Sequence, residues 1–324
     1  MRRILKLFPR FVLSFLILFV IFFFWGASSV HPVKDKNKII TLNTNITATN
    51  DSIFTVATYN IGYLSGMTNN LPIAKPKSLF DNNLKKVKAI LKPLNIDILA
   101  FQEIDFASAR SYDVNQQLDI AKLGYPYIGQ TVNWDKRYLP FPYWPVSLQF
   151  GRVYSGQSVL SKFPITAQNR IVLEPVASAP FYRTAFYLDR LAQVDKIEIN
   201  GKTLVIINVH LEAFDKPTRA QQTLKVLDLY NTYKDKYPTL LVGDFNSDIK
   251  FTDAAITPII NSPNIGIAAY KKPYPNTYSS VKPVKRIDYI FYNKNFIKEM
   301  SSRVITEMGA TSDHLPLMMT FKLK

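Results

Sequence analysis

A layered α/β or α+β domain preceded by one N-terminal transmembrane helix is the architecture that this chain predicts, and three observations predict it. The first is an unbroken apolar run over residues 11–27, with Arg10 before it and a polar stretch from His31 after it. The second is that short β-type runs alternate with helical ones from Ile53 onward, without the clean strand–helix–strand series of a purely parallel sheet. The third is the position of the polar residues: acids, amides and histidines stand at the ends of nearly every predicted strand.

The apolar run comes first. At ~1.5 Å per residue, about 17 residues plus a few flanking ones reach across a ~30 Å hydrocarbon core. A secretory signal has a shorter apolar stretch, about 7–15 residues. Length therefore favours an uncleaved anchor, although Ala27-Ser28-Ser29 has the small residues of a cleavage site, and cleavage with secretion is the alternative. Arg2, Arg3, Lys6 and Arg10 precede the run while Lys34, Lys36 and Lys38 follow it, a slight bias that places the N-terminus inside and the bulk of the chain outside the cytosol. The organisation expected is a basic segment (1–10), an anchor or signal (11–30), a polar Lys/Asn/Thr-rich tether (31–52) and one catalytic domain (53–324).

Within that domain, residues 54–59 read as a strand. Residues 79–91 read as a helix carrying Leu84, Val87, Ile90 and Leu91 on one face and stopped by Pro93. Further strands are expected at 97–101, 159–160, 185–188, 192–199, 204–209, 240–242 and 287–292. Asn200-Gly201 is a two-residue hairpin signal between two of them. Residues 218–233 read as a helix with Leu224, Leu227 and Tyr230 or Leu229 turned inward.

Composition narrows the function. A 324-residue chain that is 47% hydrophobic can bury one large core. The absence of cysteine excludes a disulfide framework, a thiolate zinc site and a cysteine nucleophile. A net charge of +16 and a pI near 9.7 point to a polyanionic partner: nucleic acid, an anionic membrane surface or a phosphorylated ligand. Nothing points to an obligate protein partner.

The strand-end residues carry the chemistry. An Asp or Asn after a strand is most often a turn residue or a cap, and a lone histidine is most often packing. Here they recur as Thr58-Tyr59-Asn60-Ile61, Gln102-Glu103, Asn208-Val209-His210-Leu211, Gly243-Asp244-Phe245-Asn246-Ser247, Arg286-Ile287-Asp288-Tyr289 and Ser312-Asp313-His314-Leu315-Pro316. Two of the three histidines in the chain fall in these motifs. In order and content the set resembles the endonuclease/exonuclease/phosphatase superfamily, which includes DNase I-like nucleases, abasic-site endonucleases, neutral sphingomyelinases and inositol-phosphate 5-phosphatases.

The resemblance implies a four-layered sandwich, two mixed β-sheets face to face with helices outside, and a hydrolase acting on phosphoric ester bonds. It implies Mg²⁺, with Mn²⁺ as the second option, held by Glu103 with Asn60 and Asp313 in or beside its shell. It makes Asp244 the carboxylate that orients and deprotonates the attacking water, Asn246 a donor to the phosphoryl group, and Asp288–His314 an Asp–His pair. His210 matches a second histidine that contacts the phosphate or protonates the leaving group, supported by Asn208. These roles answer what a phosphodiester demands, since its anionic oxygens repel nucleophiles until positive charge offsets them. Substrate binding is assigned to Asn208, Arg152 and Tyr154.

Substrate identity is less constrained. Residues 134–149 hold two of the three tryptophans and three prolines, an aromatic loop able to stack on bases or enter a lipid interface. Lys271-Lys272 and residues 282–286 add basic charge suited to phosphates of either kind. An endonuclease-like enzyme is the leading expectation. A phospholipid (sphingomyelinase-like) phosphodiesterase or an inositol-phosphate phosphatase is the alternative, and an inactive anchored binding protein is the reading from another class.

Overall fold

Alternating apolar positions build two sheets that share one core. The structure, a computed structural model, describes residues 2–43, 52–69 and 71–324, with the side chains of residues 2–7 left out. The first half of the chain runs α1 (Arg2–Ala27), β1 (Asn37–Thr41), β2 (Phe54–Asn60), α2 (Lys77–Leu94), β3 (Ile98–Asp105), α3 (Gln116–Ala121), β4 (Tyr127–Leu139) and β5 (Gly151–Ser161). The second half runs β6 (Ile165–Val172), α4 (Phe181–Phe186), β7 (Leu191–Ile199), β8 (Lys202–His210), α5 (Lys216–Lys234), β9 (Thr239–Asp244), α6 (Thr257–Ile260), β10 (Ile265–Ile267), β11 (Asp288–Asn293), β12 (Ile297–Val304) and β13 (Leu317–Leu323).

One sheet has the order β1-β4-β5-β3-β2-β13-β12 and the other β10-β11-β9-β8-β7-β6. Each holds one parallel pair, β2/β3 and β8/β9, with antiparallel neighbours. A parallel pair needs a crossover, and α2 and α5 supply the two crossovers. Along β8, Leu204 and Ile206 face the other sheet and pack with Val56 and Ile98. The alternate residues Val205, Ile207 and Val209 pack under Val226 and Tyr230 of α5. On the opposite side Phe80, Val87 and Leu91 of α2 cover the first sheet. The result is the helix–sheet–sheet–helix sandwich that the resemblance implied.

Several local expectations are corrected. Pro93 does not stop α2; it sits in the last turn, and the helix ends at Asn95, whose left-handed backbone (φ 47°) lets its N–H donate to the Leu91 carbonyl. Leu224 is exposed, because the buried face of α5 is built largely from Thr218, Gln222, Thr223 and Val226. Residues 181–186 form a short helix where a strand over 185–188 was expected, and residues 134–139 finish β4, so the aromatic loop proper begins at Pro140. Within the expected tether, β1 pairs antiparallel with β4, from Asn37 opposite Thr131 to Thr41 opposite Tyr127. Residues 44–51 of that tether lie outside the described residues.

The stretch Phe8–Ala27 of α1 is long and apolar enough to cross a membrane. Its last turns rest on the domain. The Phe22 ring lies 5.5 Å from Tyr138, and Phe23 lies 5.1 Å from Phe186. Beyond the helix, Arg137 N–H donates to the Ser28 carbonyl at 3.0 Å, and the N–H groups of Val30 and His31 donate to the Asp135 carboxylate.

Candidate active site

Both parallel pairs deliver polar residues to the same edge of the sandwich. Asn60 ends β2, Glu103 lies near the end of β3, His210 ends β8 and Asp244 ends β9. Register does the rest, setting His210 beside Asp244 and Asp244 opposite Asp288. Gly243 permits this approach, since a Cβ there would lie 2.0 Å from the Val209 carbonyl oxygen. The pairing of β3 with β5 slips between Phe101 and Ile104, and in that irregularity Glu103 adopts φ 52°. A left-handed glutamate costs on the order of 1–3 kcal/mol. The bulge re-aims its carboxylate into the cleft. Asn246, at φ 50°, is the second such residue at the site.

Asp244 is the hub. Its Oδ1 accepts from the Asn246 N–H at 2.9 Å, and its Oδ2 accepts from Asn60 Nδ2 at 3.0 Å. The same Oδ2 faces His210 Nε2 at 3.7 Å and His314 Nε2 at 3.8 Å. Asp288 holds His314 Nδ1 at 3.0 Å, and the Tyr278 ring lies 5.0 Å from the imidazole. Burial pushes the Asp244 carboxyl up to about 7, against the nearby His314. Burial would strip the proton from His314, but Asp288 and Asp244 hold its pKa well above the usual histidine value. His210 goes the other way: burial first, then Arg190, drives it well below that value.

Two groups of side chains are placed to hold a divalent ion. Asp244, Asp288 and His314 bring one ligand atom each to within 4.8 Å of one another. There the raised pKa of His314 favours a positive charge that offsets part of the carboxylate charge. Glu103, Asn60 and Asp313 form the other group. Asn60 Nδ2 donates to Glu103 Oε1 at 3.1 Å, and Asn69 Nδ2 lies 3.2 Å from Glu103 Oε2 and 3.5 Å from Asp313 Oδ1. Burial pushes the Asp313 carboxyl upward, and Asn69 Oδ1 is buried with no partner among the described residues. An amide wedged between two carboxylates with its own oxygen unsatisfied marks a gap that fits a hard, oxygen-liganded cation.

Eight predicted residues therefore meet: Asn60, Glu103, His210, Asp244, Asn246, Asp288, Asp313 and His314. Three assigned to substrate do not reach the cleft. Asn208 shares the parity of Leu204 and Ile206 on β8, so it lies between the sheets, accepting from Gln102 Nε2 at 2.6 Å and donating to the Phe101 carbonyl. Tyr154 stacks on His31, and its hydroxyl accepts from Gln130. Arg152 pairs with Asp113 on the surface.

The residues that sequence reasoning missed surround His210. Arg190 Nη1 lies 2.6 Å from His210 Nε2, its Nε 3.3 Å from Glu212, and its Nη2 donates to the Tyr187 hydroxyl at 3.0 Å. That hydroxyl in turn donates to Glu212 at 3.2 Å. A signal existed: counting back from the Asn200-Gly201 turn pairs Leu191 with His210, which puts Arg190 at the cleft. The cleft encloses about 820 Å³, with Arg183, Arg190, Lys216, Arg219 and Lys285 on its walls.

Comparison with known proteins agrees with this geometry. A profile of the Endonuclease/Exonuclease/phosphatase family matches residues 57–314. No functionally curated protein matches the sequence. Among solved structures, an endonuclease/exonuclease/phosphatase from Beutenbergia cavernae superposes with TM-score 0.63 at 18% identity, over 84% of this chain and 72% of that one. The catalytic domain of human Nocturnin, solved with bound sulfate, gives TM-score 0.59 at 18% identity, over 91% of this chain and all (100%) of that one. A mannosyl-6-phosphatase from Bacteroides thetaiotaomicron gives 0.57 at 16% identity, over 84% and 99% respectively. These structures share the fold, and the profile spans most of the domain: the chain belongs to the endonuclease/exonuclease/phosphatase family.

Proposed function

We propose that the chain is a membrane-anchored, divalent-metal-dependent phosphodiesterase whose catalytic domain lies outside the cytosol. The observation that carries this reading is the line Asp288–His314–Asp244, with Asn60 and Glu103 beside it, in a basic cleft. Asp244 takes the proton of the attacking water as its oxygen bonds to phosphorus, and a carboxyl near 7 is matched to that task at neutral pH. The His314 imidazolium and the Asn246 amide donate to the phosphoryl oxygens as the bond to the leaving group breaks. His210 accepts from Arg190 and positions that guanidinium, a role that replaces the leaving-group donor the resemblance implied. Glu103, Asn60 and Asp313 would hold Mg²⁺ or Mn²⁺, which would supply neutralising charge on the phosphoryl oxygens.

The basic cleft supports an endonuclease-like reading, whereas the aromatic face beside α1 supports a lipid phosphodiester. The metal requirement is tested on chelated full-length protein with bis(p-nitrophenyl) phosphate. Hydrolysis should appear only on adding Mg²⁺ or Mn²⁺, and the same ions should raise the melting temperature. Glu103→Gln should shift both titrations to higher metal concentration. Full activity in excess chelator would sink the proposal.

A further inference from the structure

The last turns of α1 fix the depth of one face of the domain. Phe8–Ala27 comprises 20 residues. At ~1.5 Å each they span about 30 Å, the hydrocarbon thickness of a bilayer. Phe22 and Phe23 therefore lie about 6–8 Å inside the end of that span. Their partners belong to the folded domain: Tyr138 packs on Phe22, while Phe181 and Phe186 pack on Phe23 at 5.9 and 5.1 Å. A domain that touches the helix at this depth cannot stand clear of the membrane. Its contact rings dip past the boundary between headgroups and acyl chains, and the rest of that face lies against the headgroup layer.

That face is aromatic, and it borders the cleft. The Tyr138 hydroxyl donates to Gln149 Oε1 at 2.6 Å, and Gln149 Nε2 donates to the Tyr143 carbonyl, which ties the loop after β4 to the helix contact. The loop presents Trp144, 78% exposed, and α4 presents Phe181, 73% exposed, with Tyr182 beside it. Phe186 serves both sides, packing on Phe23 and lining the cleft together with Tyr143 and Phe214. Exposed aromatic rings on a soluble surface would be a liability, whereas at a bilayer boundary they are the expected residues. Arg183 and Lys216 on the same cleft walls suit a phosphate held at headgroup level.

Resting on the phosphodiesterase reading above, we infer that the substrate is a phospholipid of the leaflet that α1 enters last, attacked at its headgroup phosphodiester without leaving the membrane. The oxygen of water bonds to phosphorus, one of the two ester P–O bonds breaks, and the departing oxygen takes the proton that Asp244 collects. The acyl chains stay in the bilayer, passing between the loop after β4 and α4. This reverses the preference for nucleic acid drawn from the sequence.

The test uses the full-length chain reconstituted in vesicles of mixed phospholipids with Mg²⁺ or Mn²⁺. Lipid products are read by mass spectrometry, beside hydrolysis of bis(p-nitrophenyl) phosphate and of a single-stranded oligonucleotide. At least one phospholipid should be hydrolysed more efficiently than the oligonucleotide. Trp144→Ser combined with Tyr182→Ser should lower lipid hydrolysis about tenfold, a decade being the least that inserting two aromatic rings contributes. Hydrolysis of the small ester should stay within about twofold, because neither side chain is part of the catalytic machinery. The chain has no cysteine. Trp144→Cys therefore gives one labelling site, and a dye there should be quenched by lipid-borne nitroxide and shielded from aqueous iodide. Preference for the oligonucleotide, equal losses on lipid and small ester, or a dye open to iodide would overturn the inference while leaving the phosphodiesterase reading intact. Failure to hydrolyse any of the three substrates overturns both.

Discussion

Two buried histidines flank Asp244 at nearly the same distance, 3.8 Å for His314 and 3.7 Å for His210, yet their surroundings shift their pKa in opposite directions. Burial discourages a proton on both. On the His314 side Asp288 and Asp244 outweigh burial, and the ring is a cation that presents Nε2–H to the cleft. On the His210 side Arg190 adds to burial, and the ring is a neutral acceptor for the guanidinium. The chemistry of a buried histidine is thus set by the formal charge across from it. Motif membership alone does not separate the two.

The largest expected effect lies on the cationic side. His314→Ala and Asp244→Asn should each lower turnover by at least about 10²-fold with the melting temperature little changed, the scale for a lost proton-transfer or transition-state donor. Asp288→Asn keeps the ring in place and removes only its counter-charge, so about tenfold is expected. Steady-state rates on bis(p-nitrophenyl) phosphate decide this. Near wild-type rates for His314→Ala would erase the distinction between the two histidines.

Removing the cation on the other side sharpens the comparison. Arg190→Met takes away one cause of the low His210 pKa and leaves Glu103 Oε1 and Asp244 Oδ2, each 3.7 Å from Nε2, to attract a proton. Turnover should fall about tenfold through loss of a guanidinium facing the phosphate. The readout specific to the mechanism is titration of the three histidines by NMR in metal-free protein. His210 should resist protonation in the wild type and titrate closer to the usual 6.5 in the variant. The linkage sign follows. A folded pKa below the unfolded one gives stability that is present above pH 6.5 and lost as pH falls, by up to about 1.4 kcal/mol per pH unit. For His314, raised in the fold, stability is full below pH 6.5 and is lost as pH rises through the folded value. Arg190→Met should flatten the acid limb alone. An unchanged His210 titration would show that Arg190 does not set its charge.

Legibility in the sequence followed burial. Strands inside the sheets, such as β8 and β9, are apolar runs and are readable as such. β4 is not, since Gln130, Thr131, Asn133 and Asp135 are buried polar residues along it; β12 is a polar edge strand, and β1 is an edge strand whose partner β4 lies far along the chain. The motif residues Asn60, Glu103, Asp244, Asp288 and His314 are readable because each lies at, or within three residues of, the end of a strand at one edge. Tyr187 and Asn69 are not, and Arg190 is readable only by counting register back from the Asn200-Gly201 turn. They act through register, a short helix end and an irregular turn, and none of these leaves a periodic signal. Asn208 misleads for the same reason: it stands one inward step from His210, which is the difference between core and cleft.

The smallest effect tests whether the Arg190 side acts as a unit. The Tyr187 hydroxyl accepts from Arg190 Nη2 and donates to Glu212, whose carboxyl is held below its ordinary range, against burial, by Arg190 and by the Phe214 and Asp215 N–H groups. Tyr187→Phe removes that oxygen and keeps the ring that stacks near the guanidinium, 5.7 Å from its carbon. One buried partner is then lost by each of two charged groups. The cost should be about 1.5–3 kcal/mol in stability, the usual range for a hydrogen bond to a charged group. Turnover should fall by only about threefold, since Glu212 still orients Arg190 through Nε. Combining Tyr187→Phe with Arg190→Met should then add little to Arg190→Met alone, because the hydroxyl acts through the guanidinium. Full additivity in this double-mutant cycle would mean that Tyr187 reaches the substrate by itself, and the neutral side of the cleft would be two separate contacts in place of one.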